Sequence, residues 1–389
     1  MGGGGRRHDE QIVCTFLYLI LLLFCAGSAF ASNIVEITVD EIGIPFVLDD
    51  EGHVWGFRKP HSLEDPIKLP NLNHIQKIAS YIAVDVEGRV FTWSINDAEV
   101  VTIEGEIDEA GYTAPQRFGD LKGVTLVAYS GRHFVAVIGN RDIFDWVEIP
   151  SKIGDRFGID GYGPIRTISS RPGVSAIAAA TKGETVPTGR AAITKFSYGL
   201  EALFEDGTVM GWGITPTGEV TEDIPTSNVL LTKSPGAIGI AMNGRHTIIL
   251  SAQGIPQFWG GCEVVEKDVN GHLLPKVGVH AVDGNVTDII GMAIPQNDDL
   301  YPNAFIKRDG TVWVEYSPIP ANISGVSCSQ FDSSMYYRQA EQLPAGHAAA
   351  VQVTTAGGVY LMLDGDHKIW TTGLSYGKKK FHTVPINLK

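Results

Sequence analysis

Few residues in this 389-residue chain are spaced for catalysis. The zinc-binding motif His-Glu-x-x-His, the phosphate-binding P-loop and the nucleophile motif Gly-x-Ser-x-Gly do not occur in it. Carboxylates cluster at 49–51 and 297–299, and carboxylate pairs can cleave sugar polymers. The first run reads as a hairpin turn and the second as an insertion. We therefore expect no catalytic activity, no cofactor and no metal.

Two other segments carry residue types that favour binding. Asn96–Ala114 is acidic and would suit a basic partner, although a solvated loop would have the same composition; its acidic residues include Glu104, Glu106 and Asp108. Ser317–Leu343 carries types that are enriched at recognition surfaces, namely Phe331, Tyr336, Tyr337 and Arg338. Local packing of a long loop is the alternative for this second segment.

The N-terminus predicts export. Arg6 and Arg7 precede an apolar run from Ile12 to Cys25, and a small-x-small pattern ends at Ala31. This pattern is typical of a signal peptide spanning 1–31, which leads to a secreted or periplasmic location. An uncleaved anchor would want about 20 apolar residues, more than this run has. Lipidation at Cys25 is disfavoured by the bulky residue before it, and no later segment is apolar enough to span a membrane.

The net charge narrows the class of partner, and the cysteine content allows one disulfide. The formal net charge is −14, which repels the phosphate backbone, so no nucleic acid is expected as a partner. After cleavage the chain keeps Cys262 and Cys328. In an oxidising compartment these two cysteines could form a disulfide, and two unpaired core thiols are the alternative.

Seven tryptophans reveal the organisation of the chain. They recur 38 to 66 residues apart, which marks a repeat array: Trp55, Trp93, Trp146, Trp212, Trp259, Trp313 and Trp370. A Gly-containing turn precedes most of them, as at Asp206-Gly207, and such turns predict tight hairpins. A short aliphatic strand lies upstream of each hairpin, and four units add a Pro-led edge strand.

Four strands in each of seven units predict an all-β fold, a seven-bladed β-propeller of four-stranded antiparallel blades, preceded by the signal peptide. The expected propeller spans 32–389. Its expected blades are 33–73, 74–122, 123–172, 173–236, 237–285, 286–346 and 347–389.

The repeat unit resembles the regulator of chromosome condensation repeat. The match is best at Asp206-Gly207-Thr208-Val209-Met210-Gly211-Trp212-Gly213, and Gly131-Arg132-His133 and Gly244-Arg245-His246 match the start of the unit. The Gly-Gln-Leu-Gly segment that usually follows Trp-Gly is absent from every unit. The resemblance implies the propeller fold. The family's nucleotide exchange on a nuclear GTPase is not expected from an exported, acidic chain, whereas exported propellers of this type act by binding.

The parity of antiparallel strands predicts where the insertions lie. Connections between strands one and two, and between strands three and four, leave a blade at the same rim, which we call the insertion rim. Five insertions belong to these classes: Asn96–Ala114, Gly154–Gly163, Thr181–Tyr198, Pro295–Asn303 and Ser317–Leu343. The opposite rim, with tight turns between strands two and three, is called the plain rim.

These observations together predict an exported, monomeric binding propeller. It would recognise a protein or glycan partner through the insertion rim, because loops on a rigid scaffold are where binding usually occurs. The alternative function is an extracellular polysaccharide-acting enzyme that uses rim carboxylates. A structural module that assembles with its own kind is a third hypothesis.

Overall fold

A computed structural model of the chain describes part of its residues. The described residues are 32–40, 43–58, 62–101, 107–131, 133–153, 156–187, 192–213, 228–242, 246–260, 265–267, 273–275, 279–281, 286–294, 303–316, 339–342, 348–356, 359–371, 382–384 and 388. Within them, all regular structure is β-strand. The proposed signal peptide, 1–31, lies outside the described residues.

The first three blades are antiparallel sheets in chain order. Blade 1 consists of β1 (Ile34–Val39), β2 (Pro45–Asp49), β3 (Val54–Gly56) and β4 (Ile67–Lys68). Blade 2 consists of β5 (Ile75–Ala79), β6 (Ile82–Asp85), β7 (Val90–Thr92) and, after the separate hairpin β8 (Ile95–Val101) and β9 (Ile107–Tyr112), β10 (Gln116–Arg117). Blade 3 consists of β11 (Val124–Ser130), β12 (His133–Ile138), β13 (Asp142–Ile153) and β15 (Arg166–Ser169), and β14 (Arg156–Tyr162) pairs with the far end of β13.

The last four blades follow the same order. Blade 4 consists of β16 (Val174–Pro187), β17 (Ala192–Phe204), β18 (Thr208–Trp212) and β19 (Val229–Lys233). Blade 5 consists of β20 (Ala237–Met242), β21 (His246–Ser251), β22 (Pro256–Gly260) and, after the hairpin β23 (Val265–Lys267) and β24 (Leu273–Pro275), β25 (Val279–Ala281). Blade 6 consists of β26 (Ile289–Ala293), β27 (Ala304–Lys307), β28 (Val312–Tyr316) and β29 (Gln339–Gln342). Blade 7 consists of β30 (Ala350–Ala356), β31 (Val359–Asp364), β32 (Ile369–Thr371) and β33 (His382–Val384).

The blades close into a ring through their first strands. The seven first strands are β1, β5, β11, β16, β20, β26 and β30, which we call the inner strands. Each has Cα atoms within 8 Å of the inner strand before and after it, and β30 reaches β1 in the same way. The seven-bladed antiparallel propeller that the sequence predicts is thereby confirmed.

Apolar clusters between neighbouring blades hold the ring together. One cluster joins blades 7 and 1, with Ile37, Leu361 and Ile369 among its members. Trp212 packs in a cluster that joins blades 3 and 4, and its indole is fully buried. Burial of such side chains is the main stabilising term of the fold, at about 25 cal/mol per Å² of apolar surface. The repeated tryptophans therefore include inter-blade packing residues.

A buried aspartate organises the turn between strands two and three in blades 1, 2 and 7. Asp49 accepts hydrogen bonds from the backbone N–H of His53 at 2.7 Å and from the indole N–H of Trp55 at 3.0 Å. Asp364 does the same in blade 7, where the indole N–H of Trp370 donates at 2.7 Å. Each carboxylate is the last residue of its second strand. In blades 1 and 7 this aspartate ties the turn to the tryptophan that follows it, a role that the spacing alone does not show, whereas in blade 2 Asp85 accepts from the backbone and the guanidinium of Arg89.

The turn glycines also join consecutive blades. Gly88 has φ +71° and its carbonyl accepts a hydrogen bond from Val124, the first residue of the next inner strand. A Cβ at Gly88 would lie 2.6 Å from backbone atoms of Gly123. The same inter-blade bond recurs at Gly52, Gly254 and Gly310, and Asn140 replaces the glycine in blade 3; in blade 4 the carbonyl of Gly207 instead accepts from Ser234, in the link to blade 5. These positions combine a left-handed backbone with close chain approach, which favours glycine.

The joint between blade 7 and blade 1 is different. The sequence places a turn glycine at Asp364-Gly365, but the residue with positive φ is His367, at +63°. Its ring Nδ1 lies 2.9 Å from the carbonyl of Ile34, the first residue of β1. The amide of Gln352 adds two bonds of 2.8 Å, one with the N–H and one with the carbonyl of Ile37. Side chains thus close the ring at this joint.

Candidate functional site

Four consecutive blades carry hairpins at the insertion rim. The hairpin β8–β9 follows the third strand of blade 2, and β23–β24 follows the third strand of blade 5. In blade 3 the third strand continues beyond the sheet to pair with β14, and in blade 4 the first two strands continue as one long ladder. All four arise from the connection classes of the insertion rim. The hairpin of blade 5 is one that the sequence analysis missed.

The hairpins of blades 2 and 3 lie side by side. Cα atoms of β8 and β14 come within 8 Å of each other, although the two strands belong to different sheets. We call these two hairpins, Ile95–Tyr112 and Val147–Tyr162, the paired hairpins. The two hairpins are thus neighbours on one sector of the insertion rim.

An aromatic ladder supports the paired hairpins from below. Eight rings contact one another in sequence across blades 1 to 3, with centroid separations of 4.4 to 5.6 Å. In order they are Tyr112, Phe46, Tyr81, Tyr129, Phe134, Trp146, Phe118 and Tyr162. The two ends of the ladder are the last residues of β9 and β14. Because each such ring pair is worth about 0.5–1.5 kcal/mol beyond its buried area, the ladder holds both hairpins at their bases.

Hydrogen bonds fix the base of the blade 2 hairpin. The hydroxyl of Tyr112 donates to the carbonyl of Phe57 in blade 1, and burial raises the pKa of Tyr112. Its ring lies over Gly56, where a Cβ would come within 2.8 Å of it. Ser94 and Thr113 exchange two bonds of 2.9 Å across the hairpin's entrance. The base of the blade 2 hairpin is therefore rigid and pre-organised.

The blade 2 hairpin concentrates negative charge. The segment Ile95–Tyr112 contains no Lys or Arg, and its acidic residues are Asp97, Glu99, Glu104, Glu106, Asp108 and Glu109. The register of the β8–β9 ladder places Glu99 directly opposite Glu109. Like charges at directly opposed positions destabilise an antiparallel pair. The strand pairing of this hairpin thus sets two residues of like charge at opposed positions.

The blade 4 hairpin has the opposite balance. Between Thr181 and Tyr198 it contains Lys182, Arg190 and Lys195 against Glu184. At its base, the ring of Tyr198 lies 3.7 Å from the ring of His133 in blade 3. His133 is buried, with Nδ1 3.4 Å from Oδ1 of Asp145, whose other oxygen accepts from Arg166. His133 thus has a structural role, with the carboxylate of Asp145 as its partner.

Most of the predicted site residues lie outside the described residues. These are Glu104, Glu106, Phe331, Tyr336, Tyr337 and Arg338, and also the two cysteines of the predicted disulfide, Cys262 and Cys328. Asp108 lies on β9, within the hairpin of blade 2. The structure brings to the same sector Tyr112 and Tyr162, which the sequence analysis did not select. The shared dipeptides Gly111-Tyr112 and Gly161-Tyr162, each at the end of an insertion, were the available signal.

The central channel carries one carboxylate of note. Glu36 on β1 accepts a 3.1 Å hydrogen bond from the backbone N–H of Ile78 on β5. Burial raises its pKa to about 7, against the bond from Ile78 and the charge of Lys77, which both lower it. In the described part of the inner strands, the other carboxylate is Glu184, on the projecting end of β16. Glu36 thus serves as a link between blades 1 and 2.

Within the described residues, no group of three or more His, Cys, Asp or Glu residues is arranged to hold a metal ion. Among the same residues, no helix has the length and apolar character required to cross a membrane.

Comparison with known proteins identifies the fold. No family model and no curated protein matches the chain. A solved structure of Prp20p from Saccharomyces cerevisiae, reported with its binding properties to Gsp1p and histones, is similar at 16% identity and a TM-score of 0.51, covering 85% of this chain and 82% of that one.

Two further structures are similar at TM-scores of 0.48. One is Kap60 bound to yeast RCC1 (Prp20), at 14% identity with 82% and 76% of the two chains covered. The other is human WBSCR16, at 15% identity with 83% and 85% covered. The similarity to Prp20p, at 16% identity, shows the fold alone, and for the fold it confirms the resemblance predicted from the repeat.

Proposed function

We propose that this protein is an exported binding propeller that recognises a basic protein partner through the paired hairpins of the insertion rim. The observation that carries the proposal is the acidic hairpin of blade 2, in which Glu99 lies opposite Glu109. Its base is held by the aromatic ladder, so the charge is presented on a rigid support. Pre-organised surfaces lose little entropy on binding.

The fold supports a binding role as well. Prp20p, whose structure this chain resembles in fold, was characterised by its binding to Gsp1p and histones. For this chain the partner class rests on charge, because steering between an acidic surface and a basic partner raises the association rate. A glycan is the alternative partner class, and export rests on the N-terminal pattern that ends at Ala31.

The test neutralises the opposed pair without removing the hairpin. In Glu99→Gln/Glu109→Gln, we expect recovery of the partner from an extracellular extract to fall at least about tenfold, while the protein gains slightly in stability because the repulsion is gone. The matched control is Asp120→Asn/Glu205→Gln, which changes two exposed carboxylates of the plain rim and should recover the partner as the wild type does.

The remaining outcomes separate the alternatives. Equal recovery by both variants would refute the proposed site. A partner that survives protease digestion and disappears after enzymatic removal of glycans would move the proposal from a protein to a glycan. N-terminal sequencing of the protein recovered outside the cell should give Ser32 as the first residue, and an intact Met1 would contradict cleavage of the signal.

A further inference from the structure

All seven inner strands share one irregularity. Each shifts register by one residue against the second strand of its blade, immediately after its own first residue. Such a β-bulge leaves one residue out of the ladder. The seven bulge residues are Val35, Gln76, Thr125, Ser175, Ile238, Ile290 and Val351. Because inner strands begin at the plain rim, these residues encircle the mouth of the channel there, and we call them the bulge ring.

In blades 2, 3 and 4 the bulge residue is polar and bonds back to its own blade. Gln76 donates to the carbonyl of Asp85 at 3.0 Å, Thr125 to that of Val137 at 3.3 Å, and Ser175 to that of Leu203 at 3.1 Å. Since a bulge disrupts the ladder, a side-chain donor here satisfies a second-strand carbonyl. A polar residue is therefore the structural solution at this position.

In the other four blades the bulge residue is not polar and makes no such hydrogen bond. Blades 5, 6, 7 and 1 are consecutive around the ring, and their bulge residues are aliphatic and exposed: Ile238 (55%), Ile290 (46%), Val351 (58%) and Val35 (43%). The described residues include nine exposed large hydrophobic side chains, and four of them occupy this one equivalent position. We call these four the apolar arc. Contiguous exposed apolar surface marks interaction sites in soluble proteins.

The charges beside the arc indicate what it binds. The turns of blades 7 and 1 present Asp366, Asp50 and Glu51 to solvent, with Lys368 as the neighbouring cation. Blade 6 presents Arg308 together with Asp309. The chain as a whole carries a net charge of −14. A second copy of this chain or an anionic membrane would be repelled by this surface, whereas a basic segment would be attracted.

We propose that the apolar arc is a second binding site, on the plain rim, for a protein segment that combines aliphatic side chains with Lys or Arg. The aliphatic side chains pack on Ile238, Ile290, Val351 and Val35. The basic side chains face the acidic turns of blades 7 and 1. This site lies on the opposite rim from the paired hairpins and does not depend on them.

The test converts the arc to the polar solution of the other blades. The variant is Val35→Thr/Ile238→Thr/Ile290→Thr/Val351→Thr, which copies Thr125 at the equivalent positions. The probes are a fluorescent peptide of alternating Leu and Lys and a peptide of alternating Leu and Glu with the same length. We expect the wild type to bind the Leu-Lys peptide at least tenfold more tightly than the Leu-Glu peptide, and the variant to lose at least tenfold of that affinity.

The matched control removes exposed aliphatic residues elsewhere. Ile165→Thr/Leu230→Thr, two exposed aliphatic residues outside the paired hairpins, should bind the Leu-Lys peptide as the wild type does. If the arc variant loses its fold, as circular dichroism would show, Glu51→Lys/Asp366→Lys carries the test, because it alters only exposed turn residues and should also weaken binding at least tenfold.

Three results would overturn the proposal. The first is unchanged binding of the Leu-Lys peptide by the arc variant, and the second is equal binding of the two peptides by the wild type. The third is concentration-dependent dimerisation of the wild type that the arc variant abolishes, which would make the arc an interface between copies of this chain.

Discussion

The two rims of the ring are formed by opposite ends of the same strands, yet they are constrained very differently. At the plain rim, a positive-φ turn residue and an inter-blade hydrogen bond recur from blade to blade. At the insertion rim, the connections vary widely in length, from the two residues Ser80 and Tyr81 in blade 2 to the long ladder of blade 4. The ring is therefore closed largely through its plain rim.

This difference separates residues that build the fold from residues that are free for binding. In the part of the chain that the structure describes, the acidic hairpin of blade 2 has no counterpart in another blade, and its strand pairing sets Glu99 opposite Glu109. The apolar arc is a second example, on the plain rim. Four blades there have an exposed aliphatic bulge residue, whereas the other three have a polar one. Departures from a repeat are thus the places where function is expected.

The largest expected effect is at a plain-rim glycine. Gly88→Ala forces a Cβ to within 2.6 Å of the Gly123 backbone at a φ of +71°, so we expect a loss of about 4 kcal/mol in the free energy of unfolding. Urea denaturation measures it. The insertion-rim control is Gly163→Ala, where the nearest atom is the side chain of Val147 at 3.2 Å, and a loss below about 1 kcal/mol is expected. Equal losses of stability in Gly88→Ala and Gly163→Ala would contradict the proposed difference between the two rims.

The next largest expected change in the free energy of unfolding comes from Glu36, in the channel between the rims. The pKa of Glu36 is raised to about 7 in the folded protein, from 4.5. The folded state therefore holds the proton more tightly, so its contribution is complete below pH 4.5 and is lost as the pH rises to about 7, by about 3 kcal/mol in all.

The measurement is the free energy of unfolding of wild type and Glu36→Gln between pH 4 and pH 8. We expect the difference between the two proteins to change across this window in favour of the glutamine variant at the higher pH. Glu205→Gln, at an exposed turn, is the control. A pH-independent difference for Glu36→Gln would contradict the assignment.

A smaller effect is expected at the turn aspartate. Asp49→Ala leaves the N–H groups of His53 and Trp55 without their acceptor, which should cost about 2 kcal/mol. Thermal unfolding should show the loss, and indole fluorescence should report the changed environment of Trp55. Asp120→Ala, an exposed residue with only a 3.9 Å approach to Arg117, should leave both signals unchanged. If Asp120→Ala destabilises the protein as much as Asp49→Ala does, the loss is not specific to the hydrogen bonds of the turn aspartate.

The smallest effect is expected at the insertion rim. Tyr112→Phe removes the hydrogen bond to Phe57 but keeps the ring in the aromatic ladder, so the global loss should be about 1 kcal/mol or less. Hydrogen exchange should quicken at Ile95–Tyr112 more than at the plain-rim turns. A global loss as large as that of Gly88→Ala would show that the hairpin base is part of the ring's main support.

The sequence predicted the constrained rim well and the other rim poorly. Turns such as Asp206-Gly207 can be recognised from the sequence, because a left-handed backbone position favours glycine in almost any context. The same rule failed at blade 7, where His367 takes the left-handed position and Gly365 does not. A side-chain bond from the histidine to Ile34 replaces the usual backbone bond there, and residue types alone do not reveal it.

The bulge ring and the aromatic ladder could not be derived from the pattern of residues. A bulge depends on how two strands register, and Val35 and Gln76 share no residue type although they occupy the same position. The ladder joins Phe46, Tyr129 and Tyr162, which come from separate repeats and meet only in the closed ring. Parity, by contrast, correctly assigned the blade 2, 3 and 4 insertions to one rim, because it follows from strand direction alone.

The most direct test of the account is to map where the partner binds. The partner is the one captured by the wild type and lost by Glu99→Gln/Glu109→Gln, and hydrogen exchange of the complex locates its contacts. The account predicts slower exchange at Ile95–Tyr112 and Val147–Tyr162, with the plain-rim turns near Gly52 and Gly88 unchanged. Slower exchange at those turns, with the paired hairpins unaffected, would contradict it.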